Sequence, residues 1–456
     1  MRHINPSFGP PSLTGRQRAV ELVKDLLIVM LACSAVYLAA RTQLHTGLVP
    51  WVETLLGGEH SQQTGRLDLT RISDVVQPAQ AAVCLGVNRN GEVSRYGVQY
   101  SDSLTQRLTS TTAGLVGEGL ASARTCTLLS DEDWQQALRA PGIYLDYQGA
   151  VPLTALCQWL NDGVTNAALS NICAAQLVLA DLGGETAVLC YKNEIDGLYY
   201  AWSTTVSCDG YFASTLEPYT DNGARFAFEL DAESYGAVSG DLMVLGASTQ
   251  PALYQTVTHL DLTNDSSRDD LQQALLFRTQ DYMVPGMWVC REDDTLRISA
   301  DGVVTYEGES SSRYPVGVLA NGSMDVADLL ETTHRLANDA LTVWCGSTPT
   351  AQLALTEALP LEDGSWVVRY HYRLNGISLA FSDGEDAAFF LVKDGAVTSF
   401  FLRLRCYEDT GQRSPILRER QAAAALEALS GGQTLELMLC YEDTGGDTVQ
   451  AAWVAR

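Results

Sequence analysis

The stretch that decides the fold is residues 351–406, AQLALTEALPLEDGSWVVRYHYRLNGISLAFSDGEDAAFFLVKDGAVTSFFLRLRC. Turn residues such as Asp394-Gly395 divide it into five runs rich in apolar, β-branched and aromatic side chains. Runs of this length and composition predict β-strands, and their close spacing favours antiparallel pairing. The predicted strands are 351–359, 365–374, 377–381, 387–392 and 397–406.

Two predicted helices flank these strands. The first, at 326–341, follows the candidate caps Ser323 and Asp325 and carries its leucines mainly along one face. The second begins at Ser414-Pro415 and ends at Gly431-Gly432, since proline suits a first helical position and glycine a helix end. Residues 296–456 are therefore predicted to form a C-terminal α+β unit.

Residues 66–160 are predicted to form an N-terminal α/β unit. Its strands 79–87 and 93–100 flank the hairpin signal Asn90-Gly91, and Ser130 begins a capped helix. Residues 161–295 are predicted to form a β-rich middle unit, because apolar runs alternate there with Gly, Asp and Asn turns. The predicted fold class is α+β, with an N-terminal transmembrane helix followed by a multi-domain ectodomain of antiparallel sheets covered by helices.

An uncharged run of 15 residues, LLIVMLACSAVYLAA, occupies residues 26–40. It is short for a membrane span, which needs roughly 17 to 25 residues, but Lys24 and Arg41 can snorkel at its two ends. We therefore predict a cytoplasmic N-terminus at 1–25, an anchor at 26–41 and a spacer at 42–65. A cleaved signal peptide and a buried core helix remain as alternatives.

Charge predicts how the chain is oriented across the cell membrane. Before residue 42, five basic side chains outnumber two acidic ones, whereas the whole chain carries a formal charge of −26. Basic residues before a span place that side in the cytoplasm, so the acidic ectodomain is predicted to be extracellular. Such an excess of negative charge also argues against a nucleic-acid partner.

Small residues share one face of the predicted anchor. Ile28, Ala32, Ala35 and Ala39 follow one another at spacings of four, three and four residues. Small side chains allow close approach of a second helix in a membrane. These four residues are the predicted transmembrane helix interface, although alanine is also common in a helix that serves only as an anchor.

Catalytic motifs are not apparent in the sequence. There is no GxSxG, HExxH, SxxK or phosphate-binding GxxxxGK[ST] pattern, and three Lys and six His leave little material for acid–base chemistry. We predict no catalytic residues, no cofactor and no metal site. Carboxylates are abundant, so a glycosidase-like pair remains open.

The 11 cysteines form no CxxC or zinc-like spacing and sit mostly in apolar runs. We predict small buried residues with free thiols, with Cys157–Cys173 or Cys190–Cys208 as possible pairs. The hexapeptide CYEDTG occurs at 406–411 and again at 440–445. Its four acidic residues, Glu408, Asp409, Glu442 and Asp443, predict either two strands that each enter an acidic turn or a converging metal site.

Short stretches in a characteristic order resemble the YycH family, exported accessory regulators of the WalK (YycG) cell-wall sensor kinase in Gram-positive bacteria. The stretches are DVVQPAQ at 74–80, LSDEDW at 129–134, GIYLDY at 142–147, VPL at 151–153, GSW at 364–366, YHYRLNG at 370–376, ELMLCY at 436–441, and Trp453. The last hundred or so residues also resemble the sister YycI family. The middle, at 161–262, matches no motif of the family.

The resemblance implies a non-enzymatic regulator in a two-component system, which pairs with a YycI-like sister protein and acts on a sensor histidine kinase through its membrane helix and ectodomain. Two alternatives stay open. One is an exported envelope hydrolase that uses paired carboxylates, favoured by a cleft with two carboxyls roughly 5 to 10 Å apart. The other is an extracytoplasmic solute- or cell-wall-binding module, favoured by a deep aromatic-lined pocket.

Overall fold

The computed structural model describes residues 76–88, 91–246, 249–308, 313–319, 322–429, 431 and 433–455. The predicted anchor at 26–41 and spacer at 42–65 lie outside these residues. Within the described residues, the predicted α+β class of antiparallel sheets with helices is confirmed.

The first sheet contains seven strands in the order β2-β1-β4-β5-β6-β7-β3, and every pairing is antiparallel. Its strands are β1 (Gln80–Val87), β2 (Val93–Gln99), β3 (Cys126–Leu128), β4 (Gly142–Pro152), β5 (Cys173–Ala180), β6 (Thr186–Asn193) and β7 (Tyr199–Ser207). All eight residues of β5 are buried, because this apolar strand lies in the middle of the sheet with both faces covered.

Three helices cover the first sheet: α1 (Asp102–Ser122), α2 (Asp131–Arg139) and α3 (Leu153–Leu160). The predicted cap of α2 is confirmed, since Ser130 Oγ accepts a hydrogen bond from the backbone N–H of Asp133, 3.1 Å away. Trp134 of α2 belongs to a small core on one face, and Leu108 of α1 belongs to the large core on the other.

Shorter elements connect the two sheets. Helices α4 (Ala213–Leu216) and α5 (Ala232–Tyr235) and the paired strands β8 (Arg225–Phe226) and β9 (Met243–Val244) lie between them in sequence. Phe226 packs onto Tyr144 of β4, with ring centroids 5.1 Å apart. Strands β8 and β9 therefore belong to the small core of the first sheet, whereas Tyr235 of α5 packs with Leu426 and Leu437 beside the second.

The second sheet contains 13 strands. They are β10 (Ala252–Val257), β11 (Tyr282–Val284), β12 (Met287–Arg291), β13 (Thr295–Ser299), β14 (Val303–Glu307), β15 (Gln352–Pro360), β16 (Trp366–Leu374), β17 (Ile377–Phe381), β18 (Ala388–Lys393), β19 (Ala396–Arg403), β20 (Cys406–Arg413), β21 (Leu437–Asp443) and β22 (Thr448–Ala455). All its pairings are antiparallel except β17 with β21. Asn375 and Gly376, both at positive φ (49° and 81°), form the turn between β16 and β17.

The remaining helices are α6 (Asp265–Ala274), α7 (Val326–Cys345) and α8 (Glu419–Leu429). Helix α7 matches the predicted helix at 326–341 and packs against α3 and α6. The predicted helix start at Ser414-Pro415 is wrong. Ser414 Oγ instead donates to the backbone oxygen of Ala252, 2.9 Å away, and accepts from the N–H of Ala451 at 3.1 Å, so this segment is fixed between strands and the helix begins at Glu419.

Strand pairing does not follow the predicted unit boundaries. Strands β5, β6 and β7 lie beyond residue 160 but continue the first sheet, and β10, β11 and β12 lie before residue 296 but belong to the second. One large core includes residues from both sheets, such as Leu145 and Leu402. The reason is burial. β4 and β5 are both apolar and almost wholly buried, and each satisfies the backbone groups along one edge of the other by pairing with it. Independent folding of the units at 66–160, 161–295 and 296–456 stays a prediction.

Hydrogen bonds from a buried arginine join the two sheets. Arg373 of β16 donates to the backbone oxygens of Gln77 and of Tyr147 in β4, at 2.8 and 3.2 Å. Burial lowers the pKa of Arg373 in spite of the opposing carboxylates of Asp102 and Asp146. Nearby, a side chain at Gly149 would collide with the backbone oxygen of Leu355 in β15. The strands β4 and β15 can therefore approach closely only because residue 149 is glycine.

Candidate functional site

A row of polar side chains crosses the otherwise apolar first sheet. Gln80 in β1 lies opposite Asp146 in β4, Asp146 lies opposite Gln176 in β5, and Gln176 lies opposite Lys192 in β6. Directly opposed residues of neighbouring strands point to the same face. The four side chains therefore form one continuous line over four strands.

The face that carries this row also carries the small core under α2. In each of the four strands, the residue two positions from the row on the side of α2 belongs to that core. These residues are Ala82, Tyr144, Val178 and Cys190. Because side chains alternate between faces with a period of two, the row and the core share one side of the sheet. The polar row thus begins where the apolar cover of α2 ends.

Two further segments cover the row and enclose a cavity of about 140 Å³. The backbone N–H of Ser239 donates to the oxygen of Leu435 at 2.8 Å, and the N–H of Leu435 donates to the oxygen of Ala237 at 2.9 Å. This pairing holds Ser239 and Asp241 beside Glu436 and the start of β21. The cavity wall is therefore assembled from three parts of the chain that are distant in sequence.

Asp146 lies at the centre of the row with only 8% of its surface exposed. Its carboxylate accepts hydrogen bonds from the N–H of Gln148 at 2.9 Å and from Tyr144 Oη at 3.2 Å, and Gln176 Nε2 lies 3.5 Å away. Burial raises the pKa of Asp146 to about 6, against these hydrogen bonds. The carboxyl can therefore change its charge near neutral pH.

Lys192 lies at the mouth of the cavity between two carboxylates. Its Nζ is 3.4 Å from Asp241 Oδ2 and 3.3 Å from Glu436 Oε1. Partial burial opposes the charge, but the two carboxylates outweigh it and raise the pKa of Lys192. Asp241 also accepts a hydrogen bond from Ser239 Oγ. The ammonium group of Lys192 is thus held by the chain's own acids.

Two amide oxygens of the row have no hydrogen-bond partner among the residues that the structure describes. Gln80 and Gln176 are 4% and 7% exposed, and the Oε1 atom of each is buried without a donor. Buried acceptors are normally satisfied, so an unpaired one costs on the order of 1–3 kcal/mol. Both residues line the cavity. The cavity therefore offers acceptors that the described residues do not use.

A larger groove of about 910 Å³ lies between the start of β5 on one side and the end of β15 and the start of β16 on the other. It is lined mainly by small and apolar residues, including Ile172, Val318 and Leu359. Trp366 is the one aromatic side chain among the described residues that line it. The groove therefore does not provide the aromatic lining expected of a carbohydrate- or solute-binding module.

The repeated CYEDTG segments do not converge on a metal. Asp409 and Asp443 each accept a hydrogen bond from the glycine two residues later, at 2.7 and 2.8 Å, as acidic turns do. Asp443 is also buried and accepts from Tyr407 Oη at 2.8 Å. Among the described residues, no group of three or more His, Cys, Asp or Glu could hold a metal ion. The structure therefore favours the alternative of two strands, although only β21 ends in an acidic turn, after Asp443. The segment at 406–411 stays inside β20, at an irregularity in its pairing with β10.

A disulfide corrects the prediction that the cysteines are free. Cys345, the last residue of α7, is bonded to Cys406, the first of β20. Neither of the two candidate pairs forms, since Cys157, Cys173, Cys190 and Cys208 are all free thiols. The sequence could not suggest Cys345–Cys406, because the two residues are 61 positions apart and the pairing of the five strands between them brings the ends together.

The predicted interface residues Ile28, Ala32, Ala35 and Ala39 lie outside the described residues. In the part of the chain that the structure does describe, no helix is both long and apolar enough to cross a membrane. The transmembrane helix and its small-residue face accordingly stay predictions.

The polar row was not predicted, although a sequence signal for it exists. Gln80, Asp146 and Gln176 each have apolar neighbours on both sides in the chain and lie in neighbouring strands of one sheet. A lone polar residue in a buried strand needs a partner, and several such residues suggest one another. Three stretches used for the family resemblance, those ending in Gln80, containing Asp146 and beginning at Glu436, meet at this cavity.

No protein-family model matches the chain. No curated protein matches it. Among solved structures, the chain is similar to the crystal structure of YycH from Bacillus subtilis, with a TM-score of 0.50 and 10% sequence identity, over 84% of this chain and 94% of that chain. At this identity the likeness concerns the fold. The resemblance to YycH is thus confirmed at that level, and the described chain has the YycH fold.

Proposed function

We propose that the chain is a membrane-anchored, non-enzymatic regulator of a cell-envelope sensor histidine kinase, and that it works together with a YycI-like sister protein. The observation that carries the proposal is the likeness to YycH over 94% of that protein's solved chain. The order of the short sequence stretches agrees with it independently, because those stretches are a property of the sequence alone.

The proposal places the N-terminus in the cytoplasm, a single span at 26–41, and the rest of the chain outside the cell. Three observations support this placement: the uncharged run at 26–40, the basic side chains before residue 42, and the strongly acidic remainder. The disulfide between Cys345 and Cys406 adds a fourth, since such bonds persist mainly in oxidising, extracytoplasmic settings.

The polar cavity agrees better with a protein that regulates its partner by contact than with a hydrolase. Asp146 and Asp241 line a cavity of about 140 Å³, whereas pockets for drug-sized ligands occupy roughly 300–1,000 Å³. Both carboxylates are already held by donors of the chain itself, Tyr144 and Gln148 on one and Ser239 and Lys192 on the other. This arrangement leaves little room for a glycan chain between two free acids.

Reconstitution tests the proposal directly. The full-length chain, a WalK-type kinase and a YycI-like protein would be incorporated together into lipid nanodiscs, and kinase autophosphorylation would be measured with and without the chain. We expect the rate to change several-fold and the three proteins to co-purify. The regulatory role would be contradicted by an unchanged rate together with no association, or by peptidoglycan hydrolysis that one carboxylate substitution abolishes.

A further inference from the structure

The polar cavity on the first sheet has an excess of oxygen acceptors over donors. Its wall contains the carboxyl groups of Asp146, Glu194, Asp241 and Glu436 and the amide groups of Gln80 and Gln176. The ammonium of Lys192 is the one basic side chain among the described residues that line it. Such a wall repels anions and attracts a positively charged group.

The chain's own ammonium uses only part of this wall. Lys192 Nζ lies between Asp241 and Glu436 at the mouth, at 3.4 and 3.3 Å. Deeper in the row, Gln80 Oε1 and Gln176 Oε1 remain buried without a donor on either side of Asp146. These two buried oxygens lie in β1 and β5, the strands on either side of β4, and so they flank the carboxyl of Asp146. Together with that carboxyl they form a second set of oxygens that could accept hydrogen bonds from a donor-bearing group.

We propose that this cavity binds a compact organic cation with N–H donors, an alkylammonium head group. Its N–H groups would donate to Gln80 Oε1, Gln176 Oε1 and the carboxylate of Asp146, which together satisfy the three hydrogens of a primary ammonium. The cation would lie beside Lys192, whose own charge is neutralised by Asp241 and Glu436.

Size and ligand type favour an ammonium over a metal ion. A volume of about 140 Å³ exceeds what one water needs, which is about 10–15 Å³ on the same measure, and admits a short alkyl group. A hard metal ion would need several anionic oxygens at 2.0–2.6 Å, and the described residues contain no group of three acids placed to supply them.

Calorimetric titration of the purified full-length protein tests the proposal. The probes are ethylammonium and tetramethylammonium, which carry the same charge but differ in N–H donors, and calcium as the metal. We expect saturable binding of ethylammonium, at least ten-fold weaker binding of tetramethylammonium, and no calcium binding that competes with ethylammonium. A lysine peptide with capped ends is a further probe. If it binds more tightly than ethylammonium, the natural ligand is a lysine side chain of a partner protein. If it binds more weakly, the natural ligand is a free amine.

Variants place the binding in the cavity. Gln176→Leu removes one unpartnered oxygen, and Glu436→Gln removes a carboxylate at the exposed mouth, where folding is not at risk. We expect Gln176→Leu to weaken ethylammonium binding at least ten-fold and Glu436→Gln to weaken it a few-fold. Gln272→Leu is the matched control, since Gln272 is equally buried with an unpartnered amide nitrogen but lies in α6, away from the cavity.

Three results would overturn the proposal: no saturable ethylammonium binding, equal affinity for tetramethylammonium, or the same loss in Gln272→Leu as in Gln176→Leu. Calcium that displaces ethylammonium at lower concentration would also overturn it, in favour of a metal site. If Gln176→Leu does not fold, as judged by circular dichroism, undiminished binding by Glu436→Gln would count against the cavity.

Discussion

The buried carboxyl of Asp146 should make the protein less stable as pH rises, and Asp146→Asn should remove this dependence. Burial raises the pKa of Asp146 in the folded protein to about 6, whereas the unfolded chain has its ordinary value of 3.8. The folded state therefore binds the proton more tightly than the unfolded state. Its stability falls as pH rises above about 4 and levels off above about 6.

The size of the effect follows from the shift in pKa. A difference of about two units at about 1.4 kcal/mol per unit predicts that Asp146 destabilises the protein by about 3 kcal/mol at pH 7.5 relative to pH 3.5. Asparagine has the same shape and no charge. The difference in unfolding free energy, Asp146→Asn minus wild type, should therefore rise by about 3 kcal/mol between pH 3.5 and pH 7.5. The altered hydrogen bonds of Tyr144 and Gln148 shift this difference by a constant amount and do not affect its rise with pH.

Urea unfolding at half-unit pH steps from 3.5 to 8, followed by fluorescence, measures this difference. Asp443→Asn is a matched control, because Asp443 is also buried but the hydrogen bonds from Arg405, Gly445 and Tyr407 outweigh its burial and lower its pKa. For that variant the difference should run in the opposite direction, with the wild type gaining stability as pH rises from acid. A difference that stays constant with pH for Asp146→Asn would refute the reasoning.

Three further outcomes are expected. Arg95→Met should cost about 3–5 kcal/mol, because it leaves the nearly buried Glu229, 2.7 Å from Arg95, with the more distant and more exposed Arg139 at 3.7 Å. Arg225→Met, at a more exposed pair, should cost at most about 1 kcal/mol, and urea unfolding compares the two variants. The double variant Cys345→Ser, Cys406→Ser should lose about 4 kcal/mol of unfolding free energy, because the disulfide joins residues 61 positions apart and restricts the unfolded chain. An equal loss in the wild type under reducing agent would show that the missing disulfide is the cause. In the membrane span, Ala35→Leu should weaken association with a partner helix and Val29→Leu should not, as a two-hybrid scan over 26–40 can measure; a flat profile would mean that the helix is only an anchor.

Local features were predictable from the sequence where local chemistry decides them. Ser130 begins α2 because its hydroxyl satisfies a helix N–H, and Asp394-Gly395 lies in the turn between β18 and β19 as its composition suggested. The start of α8 was not, because Ser414 is bound by the distant residues Ala252 and Ala451. Long-range contacts override local preference at that position.

The arrangement of the sheets and the polar cavity depend on pairings that no local pattern contains. The strand that carries Gln80 was predicted, yet the register that aligns Gln80, Asp146 and Gln176 is set by the packing of β1, β4 and β5. A shift of one residue in any of them would move its polar side chain to the opposite face. Strands β5, β6 and β7, which lie beyond the predicted unit at 66–160, join the first sheet through the same kind of long-range pairing.

The position of β4 has a consequence for anyone who would divide this protein. A fragment ending at residue 160 keeps β4 but loses β5, and so leaves a row of bare backbone N–H and C=O groups along a strand in which ten of 11 residues are buried in the intact chain. Such an uncovered apolar edge readily pairs with other chains. Truncations, domain swaps and chimaeras with related proteins are better joined after Val244, because the first sheet is complete at Ser207 but Phe226 and Met243 still pack onto it.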